Sequence, residues 1–200
     1  MIEKHFSNTY QKYCITPYLQ SIFLRTLNPI SLTYLACFFG IAIYPLLLFG
    51  CPYLAVLFLA FSGFLDTLDG SLARYYQKTS LKGAALDIIS DRIVEFAIIL
   101  GLYSIDPLTR ALPSLWMLGS CFICVTSFLI VGMFTQNTST KSFHYSTGLI
   151  ERAEAFIFFA IMILFPSTFV IASYLFSALV LLTATVRIVQ FQNNINKESS

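Results

Sequence analysis

Asp66-Thr-Leu-Asp69-Gly70-Ser-Leu-Ala73-Arg74, then eight residues, then Gly83-Ala-Ala-Leu-Asp87-Ile-Ile-Ser-Asp91, is the stretch on which the rest of the sequence turns. Four carboxylates and an arginine stand in or beside segments apolar enough to enter a bilayer. Ionisable groups are costly there, and their presence marks a functional site. On a helix, Asp66, Asp69, Gly70, Ala73 and Arg74 fall at i, i+3, i+4, i+7 and i+8 and share one face. Asp87 and Asp91 share a face of the next helix by the same rule. Across a helical hairpin the four acids can converge on one point.

The surroundings fit that reading. The chain of 200 residues is 57% hydrophobic and only 11% charged, whereas soluble domains carry about 25% charged residues. Twenty Phe and eleven Tyr add an aromatic excess suited to bilayer interfaces. A net charge of +2 gives no basis for nucleic-acid binding. The cysteines (Cys14, Cys37, Cys51, Cys121, Cys124) form no paired framework. Cys121 and Cys124 have CxxC spacing, but they lie in an apolar run with no His or second pair to complete a zinc site, and read as packing residues. Residues 1–30 lack the pattern of a cleaved signal peptide, so the membrane segments are expected to carry the insertion signal.

The expected fold is an all-α integral membrane protein: six transmembrane helices preceded by an N-terminal interfacial amphipathic helix. Thr16-Pro17 reads as a helix start, and Leu19, Ile22, Phe23 and Leu27 recur at helical spacing over a length too short to span. Asn28-Pro29 ends that element. Spans are expected at 31–50, 52–74, 83–103, 113–134, 147–165 and 167–191, each near the roughly 20 residues a crossing needs. Gly50-Cys-Pro52, Asp106-Pro107, Pro113 and Pro166 punctuate them, and Pro45 lies inside the first. The resulting organisation is a terminus and interfacial helix (1–30), a membrane domain (31–192) and a tail (193–200). Lys4, Lys12, Arg25, Arg74, Lys78, Lys82, Lys141 and Lys197 fall on the side of the termini, against Arg110 in a loop on the other. The positive-inside rule therefore predicts cytosolic termini and places the aspartates at the cytosolic mouth.

Four buried negative charges need compensation. Arg74 and Arg92 alone cannot neutralise four aspartates and Glu95. Hard divalent cations can, because carboxylate oxygen is the ligand that Mg²⁺, Ca²⁺ and Mn²⁺ prefer, and Mg²⁺ is usually shared between carboxylates and substrate phosphates. Gly70, Ala73 and Gly83 permit close approach of a ligand, and Arg74 offers a planar fork for phosphate. A small cation or proton carrier is the other reading of the same acids. Such a relay distributes its ionisable groups through the membrane depth, whereas these cluster towards one face.

The pattern D-x2-D-G-x2-A-R-x8-G-x3-D-x3-D resembles the signature of the CDP-alcohol phosphatidyltransferase family, with every fixed position filled. Eight fixed residues at about 5% each match by chance on the order of once in a hundred million chains of this size. The Asn28-Pro29-Ile-Ser-Leu-Thr33 segment, the six spans and the interfacial helix are similar to the family as well. The resemblance implies transfer of a phosphatidyl group from CDP-diacylglycerol to a small alcohol, with release of CMP, in a homodimer of membrane lipid enzymes. It implies that Asp66, Asp69 and Asp87 hold two Mg²⁺ or Mn²⁺ ions. Asp91 would be the catalytic base and also touch a metal. Asp66, Asp69, Gly70, Ala73, Arg74 and Gly83 would bind the CDP moiety.

The acceptor is less defined. Lys141, Arg152 and Arg187 are expected on the aspartate side of the membrane, where they suit an acceptor carrying its own phosphate, such as inositol phosphate or glycerol 3-phosphate. The Gly148-Leu-Ile-Glu151-Arg152-Ala-Glu154 run is similar to the corresponding segment of members that accept inositol phosphate. The alternatives are that Arg152 pairs with Glu95, Glu151 or Glu154 and that Arg187 snorkels to the interface. An uncharged or zwitterionic acceptor, such as serine or choline, is the competing substrate class. His144 reads as a solvated residue and Trp116 as an interface anchor.

Overall fold

The structure, a computed structural model, describes residues 28–134 and 152–198. These residues form helices α1 (Pro29–Leu48), α2 (Pro52–Tyr75), α3 (Leu81–Ile105), α4 (Pro107–Phe134), α5 (Arg152–Leu164) and α6 (Phe169–Glu198), with a 3₁₀ turn over Pro166–Thr168 before α6. No strand occurs among the described residues. The expected interfacial helix, Lys141, His144 and the 135–146 link lie outside them.

Local chemistry sets the helix ends. Asn28 Oδ1 accepts from the Ile30 N–H at 3.2 Å and Pro29 takes the first position of α1, where its missing N–H costs nothing. At its other end Gly50, with φ of 69°, lets the Cys51 N–H reach Leu46 O at 2.9 Å and the Gly50 N–H reach Leu47 O at 3.1 Å, a Schellman stop followed by Pro52. The same stop closes α2, with Lys78 N–H on Ala73 O at 2.8 Å and Gln77 at φ of 55° in the position glycine usually fills. Ser80 Oγ then caps α3 by accepting from the Gly83 N–H at 3.0 Å.

Two boundaries differ from expectation. The sequence predicts that the fourth span starts at Pro113, but α4 begins at Pro107 and carries Pro113 inside it. Asp106 is its cap: the Thr109 hydroxyl donates to Asp106 Oδ2 at 2.5 Å and holds that exposed carboxyl below its ordinary pKa. Arg110 consequently stands in a helix, 6% exposed, and not in a loop. Its guanidinium donates to Leu102 O at 2.8 Å and to Pro166 O at 3.5 Å, and lies 4.6 Å from the Phe169 ring centroid. It thus fastens the end of α3 to the turn before α6. The other difference is α6, which runs on to Glu198, beyond the expected end at 191.

α1 packs against both α2 and α3, α4 packs mainly against α6, and α5 bridges α2 and α6. Small residues bring α1 and α3 together: a Cβ on Gly40 would lie 2.3 Å from Val94 Cγ2, and one on Gly101 would lie 2.8 Å from Leu47 Cδ1. The main core joins Ile43, Leu47, Ile98, Leu102, Met117, Phe159 and Phe176 from five helices. Outside it, Phe38, Leu108, Phe122 and Ile171 are each more than 60% exposed, a surface that water would not tolerate and lipid does. Pro29–Leu48, Pro52–Tyr75, Pro107–Phe134 and Pro166–Ile195 are long and apolar enough to cross a membrane. α3 falls outside this set because Asp87, Asp91, Arg92 and Glu95 lie along it, and α5 is described over only 13 residues. The chain is a multi-pass, all-helical membrane protein.

Candidate active site

Three of the four acids converge; Asp91 stands outside their cluster. Asp66 and Asp69 on α2 and Asp87 on α3 each offer one carboxylate oxygen, and these oxygens lie within 4.8 Å of one another. At an effective dielectric of about 20, each such pair repels by roughly 3.5 kcal/mol or more. Three pairs together rival the about 5–15 kcal/mol that stabilises a whole domain. The cluster therefore needs cations or protons to balance it.

Part of the requirement is met from α5. Arg152 Nη1 forms ion pairs with both Asp66 Oδ2 and Asp91 Oδ1. α5 packs against α2 beside the cluster and brings Arg152 to the aspartates; Glu151, one of its expected partners, lies outside the described residues. Glu95 instead pairs with Arg92 at 2.6 Å and accepts from the Cys121 thiol at 3.2 Å. One side chain that the sequence did not assign to the site also acts here. The Thr33 hydroxyl on α1 donates to Asp69 Oδ2 at 2.6 Å, fixing a carboxylate that is 5% exposed. The signal was its place in the Asn28-to-Thr33 segment, one turn inside α1.

What remains unsatisfied fits a divalent ion. Asp87 Oδ1 is buried with no hydrogen-bond partner, a state that costs about 1–3 kcal/mol or more for a charged group unless a ligand meets it. All donors are hard oxygens, the set that Mg²⁺ and Mn²⁺ prefer over softer metals.

Two cavities open on this cluster and share Asp87. The first, about 510 Å³, is lined by Thr33 on α1, Asp69, Gly70, Ala73 and Arg74 on α2, and Gly83 on α3. All the residues expected at the nucleotide except Asp66 face it. A methyl on Gly83 would stand 3.1 Å from the capping Ser80 Oγ, a tight approach, whereas one on Gly70 would make ordinary contact at 3.5 Å with the Arg74 guanidinium. The second cavity, about 230 Å³, lies in the seam between α3, α4, α5 and α6. Asp91, Arg152 and Arg187 stand in its wall, with Cys121, Phe128 and Phe156. Arg187 does not snorkel away. Its Nη1 donates to Cys124 O at 3.0 Å and Ser127 Oγ at 3.2 Å, and its guanidinium lies 5.3 Å from the Phe128 ring centroid. Lys141 lies outside the described residues.

Residues 26–189 match the CDP-alcohol phosphatidyltransferase family. The chain belongs to that family and is a transferase of that type, in phospholipid biosynthesis. It is 29% identical over 169 residues to the inner membrane protein YnjF of Escherichia coli strain K12, covering 81% of this chain and 82% of that one. Its fold is similar to that of the Mycobacterium tuberculosis phosphatidylinositol phosphate synthase. The structure of that enzyme with CDP-DAG bound aligns with a TM-score of 0.72 at 21% identity, over 88% of this chain and 92% of the other. The complex of the same enzyme with manganese and citrate aligns at 0.71 and 20% identity, over 88% of each.

Proposed function

We propose that the protein moves the phosphatidyl group of CDP-diacylglycerol onto a small alcohol bearing its own phosphate, inositol phosphate or glycerol 3-phosphate, and releases CMP. The observation that carries this reading is the pair of cavities meeting at Asp87: one lined by the nucleotide motif, the other by three arginines (Arg92, Arg152 and Arg187) together with Asp91 and Glu95. Asp66, Asp69 and Asp87 would hold two Mg²⁺ or Mn²⁺ ions, with Asp91 also touching a metal. Bound there, such ions neutralise the diphosphate and the charge developing on the departing CMP oxygen.

The protein's own groups do the rest. Gly70, Ala73 and Gly83 admit the CDP moiety to the wall of the larger cavity, and Arg74 meets its phosphates. Asp91 takes the proton of the acceptor hydroxyl. The freed oxygen bonds to the phosphorus carrying diacylglycerol, and the bond from that phosphorus to the CMP oxygen breaks. Arg187, fixed by Cys124 and Ser127, offers a preorganised cation for the acceptor's phosphate, with Arg152 and Lys141 as its companions.

On this reading the membrane domain spans 31–192 with six crossings, α3 and α5 among them. Asp87, Asp91 and Glu95 of α3 are half-buried along the seam, and exposed Arg92 pairs with Glu95, which lowers the cost of its crossing. The excess of basic residues on the side of the termini faces the site to the cytosol, so that CMP and the acceptor exchange with water while acyl chains stay in lipid. A homodimer completes the proposal, in line with the family.

The test is CMP release from CDP-diacylglycerol by the purified protein with inositol phosphate, glycerol 3-phosphate, serine or inositol supplied singly. Turnover with a phosphorylated alcohol supports the assignment. Turnover confined to serine or free inositol transfers the protein to the other acceptor class.

A further inference from the structure

Arg152 is a single cation serving two acids. Its Nη1 meets Asp66, a member of the three-carboxylate cluster, and Asp91, the proposed base. Other arginines near the site are engaged elsewhere: Arg92 with Glu95, Arg187 with Cys124 and Ser127, Arg74 with Ser71 Oγ at 3.4 Å. Arg152 also stands in the wall of the smaller cavity, so it borders the acids and the acceptor space at once.

We infer that Arg152 is an exchangeable counter-ion. It balances Asp66 and Asp91 until divalent cations load the cluster, and is then displaced into the cavity it already lines, where an anionic group of the acceptor receives it. The inference rests on the metal assignment proposed above. Charge arithmetic drives it. Four aspartates carry −4, and two divalent ions bring +4, which removes the field that holds the guanidinium and adds repulsion between like charges. Rotation about side-chain bonds suffices for the exchange. The coupling is reciprocal: whatever factor Arg152 subtracts from metal affinity, metal subtracts from the hold on Arg152. Metal loading would thereby prepare the acceptor pocket, ordering the two binding events.

The test uses full-length protein and Mn²⁺ alone, without lipid or acceptor. Calorimetric titration of Arg152→Gln is expected to give Mn²⁺ binding about ten-fold tighter than the parent, with a lower melting temperature before metal is added. Arg152→Lys, which keeps the charge, should stay within about three-fold of the parent. Equal or weaker binding by Arg152→Gln, in a parent that does bind Mn²⁺, overturns the exchange and leaves the metal assignment standing. A parent that binds no Mn²⁺ removes both. Should Arg152→Gln fail to fold, the unaltered protein decides: phenylglyoxal labelling of Arg152, followed by mass spectrometry, rises with added Mn²⁺ if the side chain is released. Constant or falling labelling refutes the inference.

Discussion

Replacing Thr33 with valine removes one hydroxyl from α1 while keeping a β-branched side chain of similar shape. The hydroxyl's partner is Asp69 Oδ2 at 2.6 Å, a carboxylate that is only 5% exposed. A hydrogen bond to a charged group contributes about 1.5–3 kcal/mol. If Asp69 is a metal ligand, that energy is spent on holding it in its liganding orientation, and its loss appears as weaker metal binding. At 1.4 kcal/mol per factor of ten, it corresponds to roughly a 10- to 100-fold change, the range typical for groups that orient metal ligands from behind. The assay is calorimetric titration with Mn²⁺ in detergent or nanodiscs, with the melting temperature recorded in parallel. Thr33→Ser, which keeps the donor, should lie close to the parent. Mn²⁺ affinity of Thr33→Val within two-fold of the parent would refute the reasoning, because Asp69 would then need neither the hydroxyl nor the metal geometry ascribed to it.

Two further expectations concern the scaffold. Arg110→Met keeps much of the side-chain stem but removes the donors to Leu102 O and Pro166 O and the contact with the Phe169 ring. It should cost about 2–4 kcal/mol, seen as a fall of about 5–15 °C in melting temperature, while CMP turnover well below the melt stays unchanged. Gly40→Ala places a Cβ 2.3 Å from Val94 Cγ2, whereas nothing lies within 4 Å of a Cβ on Gly119. Because both substitutions share the same gain in helix propensity, the difference between their stabilities isolates the overpacking, about 1–3 kcal/mol against Gly40→Ala. Equal melting temperatures would show that α1 and α3 are not closely packed at that point.

The motif aspartates were legible because helical periodicity is local: Asp66, Asp69 and Gly70 share a face whatever the rest of the chain does. The convergence of α2 with α3 followed from the short polar link between them. Contacts between distant helices were not legible. Thr33 meets Asp69 from a position 36 residues away, and nothing in either segment names the other. Arg152 had Glu151 and Glu154 beside it in sequence, and only the packing of α5 against α2 brings it to Asp66 and Asp91 as well. Arg110 was misplaced for a different reason. Proline signals a helix start at both Pro107 and Pro113, and the Asp106 cap with its Thr109 hydrogen bonds decides for the earlier one. Placing the start at Pro113 turned a buried clamp into a loop charge.

As proposed above, Asp91 is the base of a phosphatidyl transfer run on the Asp66, Asp69 and Asp87 cluster. The most direct test of that role is the rate of CMP release from CDP-diacylglycerol and a phosphorylated alcohol, with Mg²⁺ or Mn²⁺ present, by the purified protein and by Asp91→Asn. Positioned base catalysis contributes about 10²- to 10⁴-fold, so the variant should fall to near background while still binding Mn²⁺. A variant that keeps turnover within ten-fold of the parent would contradict the account.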